Sequence, residues 1–190
     1  MNKKYIEDII FKGNDFTKDK LCVSDYDGCT FTNCVFTNTN LSNICFTDCE
    51  FNNCDLSMVK LNNTVFRNVI FNNCKLLGLC FDNCNTFLLS FSFYNCILNF
   101  TSFYKLKLKK TDFSNCKFEK SEFIETDLTN STFTNCDLVG TVFDKSILEK
   151  VDFRTSYNYS INPENNRIKK AKFSIESVVG LLDNYDIDVD

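Results

Sequence analysis

At 190 residues, 22.0 kDa and a formal net charge of −4, the chain is of a size for one domain or a small pair. With 44% hydrophobic residues it can build a core, but it has no histidine and no apolar run that approaches the length of a membrane span. A single proline and five glycines leave no evident linker between domains. The opening segment, MNKKYIEDII, has acids within its short apolar run and no small-residue cleavage site. It is a poor signal peptide, and the expectation is a soluble, cytoplasmic protein.

From Phe11 to Phe81 every fifth residue is Phe, Leu or Tyr, and from Leu88 to Phe153 every fifth is Phe or Leu. A longer period of twenty is superposed: FTNC at Phe31–Cys34 returns as FNNC, FNNC, FYNC, FSNC and FTNC, ending at Phe133–Cys136, with one step of twenty-two. Call the recurring Phe or Leu the centre. In an extended chain, residues two apart point to the same face, so the centre and the residue two before it both point inward. The two residues after the centre must turn the chain. Five residues then make one side and a corner, and four sides close a square coil of twenty. A helix repeats every 3.6 residues and fits none of this. Coils stacked at about 4.8 Å give a regular rod on the order of 34 Å long.

Each side carries its own ladder. The first side stacks Phe31, Phe51, Phe71, Phe93, Phe113, Phe133 and Phe153. The second stacks Phe36, Leu56, Leu76, Leu98, Phe118 and Leu138, with Cys34, Cys54, Cys74, Cys96, Cys116 and Cys136 as small inward partners. The third runs from Leu21 and Leu41 to Phe143, and the fourth from Tyr26 and Phe46 through Leu88 to Leu148. Nine of the twelve cysteines occupy the small inward slot, which elsewhere holds Ser or Thr. A slot that takes all three selects size, so these read as reduced core thiols rather than disulfides or a metal site. Asn33, Asn53, Asn73, Asn95, Asn115 and Asn135 mark a corner, where Asn tolerates left-handed backbone.

In chain order, Ile9 in a small slot suggests an irregular first coil that caps the open end. The two extra residues place a joint near 82–92, with Phe87 and Phe91 as plugs for it or as part of a contact surface. Lys105, Lys107, Lys109 and Lys110 read as a solvated patch, since the net charge of −4 opposes nucleic-acid binding. After Phe153 one partly looped coil ends at Phe173. In the tail, Ser174 can cap a helix whose apolar face is Ile175, Val178, Val179 and Leu182, widened by Leu181 and Tyr185. DIDVD alternates as a short strand, with Ile187 and Val189 on one side. The fold class is thus an all-β solenoid, a quadrilateral β-helix over 1–173 with a helix and short strand over 174–190. The tail helix caps the last coil, and its surplus apolar surface (Val178, Val179, Leu181, Leu182, Tyr185, Ile187) suits a symmetric dimer.

The five-residue pattern resembles that of pentapeptide-repeat proteins over residues 9–153, which implies a right-handed quadrilateral β-helix. The tail, NPENNRIKKAKFSIESVVGLLDNYDIDVD, resembles that of the Qnr-type quinolone-resistance members in their Gram-positive, loopless form. That resemblance implies a head-to-head homodimer through the C-terminal helix. It also implies binding to DNA gyrase and topoisomerase IV in place of DNA, protection of them from fluoroquinolones, and no direct contact with nucleic acid or membrane. Strong protectors of that family carry loops that interrupt the coils, and here only the two-residue slip does so. Charge bounds the mimicry. A dimer about 70 Å long would match DNA carrying about 40 phosphates, whereas two chains supply −8, twice the −4 of one. Mimicry would have to be local, with Asp112, Glu122, Asp127, Asp144 and Asp152 the candidate topoisomerase-facing acids. No cofactor and no catalysis are expected: there is no glycine-rich phosphate loop, no nucleophile motif and no obvious pocket. The alternative is a structural or interaction solenoid with another protein partner.

Overall fold

The computed structural model describes residues 4–185 and 187–189. Strands of three or four residues stack in parallel into a right-handed β-helix. Lys4–Glu7, Ser24–Asp27, Cys45–Thr47 and Val65–Arg67 line the fourth side of the early coils. A seven-stranded sheet on the first side runs from Ile10–Lys12 to Thr132–Thr134. Glu122–Ile124 pairs with Val142–Asp144 on the third side. The second side is held by single bridges such as Val35↔Asp55, Asp55↔Lys75 and Lys75↔Ile97. Partners are twenty residues apart, as in Phe31↔Phe51, except across the joint, where pairs such as Phe71↔Phe93, Lys75↔Ile97 and Cys80↔Ser102 are twenty-two apart.

Three features of each repeat produce this coil. The centre stacks on its counterpart one coil away: Phe31–Phe51 at 4.7 Å, Phe93–Phe113 at 5.5 Å and Phe113–Phe133 at 4.6 Å between ring centroids. Rings of adjacent sides meet edge to face, as Phe31 does with Phe36. The small slot donates to the carbonyl of a centre twenty-three residues earlier. Cys54 Sγ reaches Phe31 O at 3.3 Å, Ser121 Oγ reaches Leu98 O at 2.6 Å and Thr126 Oγ1 reaches Phe103 O at 2.8 Å. Cys, Ser and Thr are interchangeable because all three supply this short donor. All twelve cysteines are free thiols. Finally, the residue two after the centre turns the corner in the left-handed region, as at Asn33 (φ 54°), Asn73 (φ 53°) and Asn115 (φ 53°).

Four expectations change. The first coil is not an irregular cap: Lys4–Glu7 and Ile10–Lys12 already pair with the next coil, because Ile6 acts as a centre five before Phe11. Ile9 keeps the small-slot register of Cys29, and is exposed because it lies at the open end of the rod. At the joint, Leu88 leaves the fourth ladder. It is 65% exposed at φ 57°, and its place in the core is taken by Phe91, whose ring lies 6.4 Å from Phe66 and 5.2 Å from Phe81. Phe91 sits in a small slot opposite Val69, so an oversized inward residue fills the space of the missing centre. Phe91 is therefore a plug. Phe87, 66% exposed, is not.

The fourth change is the tail. Phe173 does complete one more coil, stacking on Phe153 at 5.5 Å. Ser174 Oγ accepts from Ser177 N at 3.3 Å, as a cap would. No α-helix follows. Val178–Leu181 and Asp183–Tyr185 are two 3-10 turns. Gly180 explains this: its carbonyl accepts from Ile161 N at 2.9 Å, and a Cβ there would run into Tyr159 O. The tail is pressed against the last coil at this point, and its two β-branched valines favour the helix little. Ile187–Val189 forms no strand, and the expected strand's Asp186 and Asp190 lie outside the described residues. Among the described residues, no helix is long and apolar enough to cross a membrane.

Candidate interaction surface

The tail covers the end of the core with Leu181, while the rest of its apolar side chains face outward. Ile175 is 89% exposed, Ile187 is 57% exposed, and Val178, Val179, Tyr185 and Val189 are also exposed. Val179, Leu182 and Ile187 come together with Asp183 and Val189 around an open hollow of about 280 Å³. Tyr185 stands beside it, donating from its hydroxyl to Glu164 Oε1 at 3.1 Å, and this hydrogen bond raises its phenol pKa. Of the six residues expected at a dimer interface, Leu181 thus turns inward, Leu182 is half-buried, and the other four are exposed.

The five candidate acids fall on three sides of the rod. Asp112 and Asp152 share the first side, one coil either side of Thr132, whose hydroxyl donates to Asp112 Oδ1 at 2.6 Å. Asp152 is gripped by Arg154 at 2.7 Å and has Lys172 at 3.6 Å. The hydrogen bond from Arg154 holds its carboxyl below the usual carboxylate value. Glu122 and Asp144 lie in paired strands on the third side. Asp127 is on the fourth side, where Lys109 pairs with it at 3.1 Å. Burial alone would raise its carboxyl, but hydrogen bonds from Thr129 and Lys109 overturn that and lower it. Asp112 and Asp152 share one row, Glu122 and Asp144 share a side but not a row (they face Val142 and Ile124), and Asp127 joins neither.

Two further surface features stand out, the first of which, Phe87, the sequence offered as part of a contact surface. The joint presents Phe87 and Leu88 side by side at the tip of a short loop. At another corner, Met58 (φ 59°) and Phe100 (φ 61°) flank Gly78 in successive coils and are exposed. The signal for the latter pair was available: each stands two after a centre, where Asn, Gly, Asp or Lys is the rule.

Residues 88–162 match the family described as "Pentapeptide repeat region", and residues 21–53 and 49–85 match "Pentapeptide repeats (8 copies)". Among solved structures, a trypsin-treated form of QnrB1, "a plasmid-mediated fluoroquinolone resistance protein", is 16% identical with a TM-score of 0.63. That alignment covers 98% of this chain and 100% of the other. A second trypsin-treated form is 22% identical, with a TM-score of 0.58, over 100% of this chain and 92% of that one. Full-length QnrB1 is 15% identical, with a TM-score of 0.54, over 97% and 100%. No curated protein matches in sequence.

Proposed function

The chain belongs to the pentapeptide-repeat family, and from that premise we propose that it is a cytoplasmic, homodimeric binding rod that engages DNA gyrase and topoisomerase IV and protects them from fluoroquinolones. The observation that carries the proposal is the end-to-end likeness of the fold to QnrB1, tail included. The exposed apolar tail supports head-to-head dimerisation: an apolar cluster at the end of a rod, rimmed by Glu164 and Asp183, suits a second copy related by a two-fold. The rod acts by binding rather than by catalysis, and needs no cofactor. We place the topoisomerase contact on acids of the C-terminal half, either the Asp112–Asp152 row or the Glu122–Asp144 pair.

The test is DNA supercoiling by purified gyrase, with and without ciprofloxacin, across a titration of the protein. Rescue at concentrations below those that inhibit gyrase is expected. Absence of any effect on gyrase and on topoisomerase IV overturns the proposal. The division of the acids between rows, with Asp127 and Asp152 ion-paired, favours a second reading. In it the rod docks on another protein through a contact that copies no DNA. Charge reversal at Asp112 and Glu122 separates the two: loss of rescue supports mimicry, and unchanged rescue supports the second.

A further inference from the structure

The joint and the coil after it set an aromatic row beside a basic one. The loop carrying Phe87 is built rather than loose. Asn85 Oδ1 accepts from Phe87 N at 2.9 Å, Asn85 Nδ2 donates to Asn63 Oδ1 at 3.0 Å, and Ser90 Oγ accepts from Asn68 N at 2.7 Å. Leu89 and Phe91 anchor it in the core. Its tip is held out in solvent, with Phe87 66% exposed and the Arg67 guanidinium 5.8 Å from its ring centroid. One coil on, Tyr104 is exposed with the Lys105 ammonium 4.7 Å from its ring. From Lys105 the chain crosses the fourth side with Leu106 and Leu108 buried, so Lys107 points out between them and Lys109 and Lys110 close the side. Alternate residues of an extended side are about 6.6 Å apart. That spacing suits successive phosphates of a single strand that is more extended than one in a duplex. A cleft of about 190 Å³ lies between the rows, with Thr86 and Leu89 on one wall and Lys105 and Lys107 on the other. Glu125 and Asp127 answer Lys105 and Lys109, and Glu125 also accepts from the Tyr104 hydroxyl at 3.5 Å, at the ring's edge. Among the described residues, Lys107 and Lys110 have no carboxylate within ion-pair distance.

We infer that this face binds single-stranded nucleic acid, with unpaired bases stacking on Phe87 and Tyr104 and phosphates lying along Lys105, Lys107 and Lys110. The aromatic rings each offer a face that any base can use, and the lysines supply a charge track, the two elements of sequence-tolerant single-strand binding. An acidic protein surface would use the lysines but has no need of an exposed ring. A duplex keeps its bases stacked and cannot use the rings. The site lies apart from the tail and from Asp112, Asp144 and Asp152, has Glu122 in the coil next to Tyr104 and Asp127 beside Lys109, and does not depend on the topoisomerase proposal.

The experiment is fluorescence anisotropy of a labelled oligothymidylate with the full chain at low salt. Binding is expected, weakening with added salt, and stronger than to a duplex of equal length. Phe87→Ala should weaken it roughly five- to a hundredfold. Replacing Lys107 and Lys110 by Gln should flatten the salt slope by about 0.7 per lysine. Because the chain has no tryptophan, Phe87→Trp provides a lone reporter whose fluorescence should be quenched when a base stacks on it. The inference is overturned by no binding at low salt, by Phe87→Ala binding as tightly as the parent, by indole fluorescence of the Phe87→Trp variant that stays unquenched in the bound state, or by polyglutamate displacing the oligonucleotide as well as unlabelled oligothymidylate does.

Discussion

Where the inward slot beside a centre holds Cys, Ser or Thr, it buries a short side chain with a donor, and that chemistry has a measurable consequence. Burial pushes the Cys49 thiol from its ordinary 9.0 up to about 12, despite hydrogen bonds that favour the thiolate. A group whose folded pKa is raised lends stability in full below its unfolded value, and loses it as pH rises toward the folded one. Stability should therefore fall progressively between pH 9 and about 12, read as the denaturant midpoint across that range. Cys49→Ser keeps a donor in the slot and should make the decline shallower. A decline identical to the parent's would exclude Cys49 as a contributor. The corner residue makes a second prediction. Phe100 holds left-handed backbone at φ 61° with its ring exposed, and bulky residues are penalised there by roughly 1–2 kcal/mol. Phe100→Asn should raise stability by about 1 kcal/mol in urea unfolding. A loss instead would mean that the ring is packed in solution.

Strands, joint and tail were legible from the sequence to different degrees, for physical reasons. The strands follow from period five because centre and small slot both face inward, and period and burial are one fact. At the joint the same rule misled. Leu88 keeps the spacing to Phe93, yet the chain bulges and Phe91 supplies the buried ring. Spacing alone could not distinguish a centre from an oversized small-slot residue. Phe91→Ala should cost about 3–5 kcal/mol, whereas Leu88→Ala should change stability by about 0.5 kcal/mol or less. Equal effects would overturn the assignment. In the tail, apolar residues at i, i+3, i+4 and i+7 also suit consecutive 3-10 turns, and only the contact of Gly180 with Tyr159 decides between the forms. Gly180→Ala should detach the tail from the last coil. Faster amide exchange at Ile161, whose N–H is bound to the Gly180 carbonyl at 2.9 Å, would report it.

Over the whole molecule, the coil could be read from the chain because nearly every contact joins residues about twenty apart. The surface could not. The acids recur in outward slots along the sequence but divide among sides, and Phe87 and Tyr104, seventeen positions apart, become neighbours of one basic row only once the two-residue bulge has formed. The proposed dimer makes a prediction at this scale. Val179→Asp should give a monomer in sedimentation analysis with its melting temperature little changed, since Val179 is exposed. A persistent dimer would exclude the tail as the interface.

The ladder of hydrogen bonds from each coil to the next also determines how the rod should respond to force. Each level is tied only to its immediate neighbours, so tension applied at the two ends has no shortcut through the core. Coils should peel away in sequence, each releasing twenty residues, roughly 65 Å of slack chain, in a sawtooth of nearly equal teeth. The twenty-two-residue turn at the joint should appear as a single tooth longer by about 7 Å, a built-in length mark near the middle of the record.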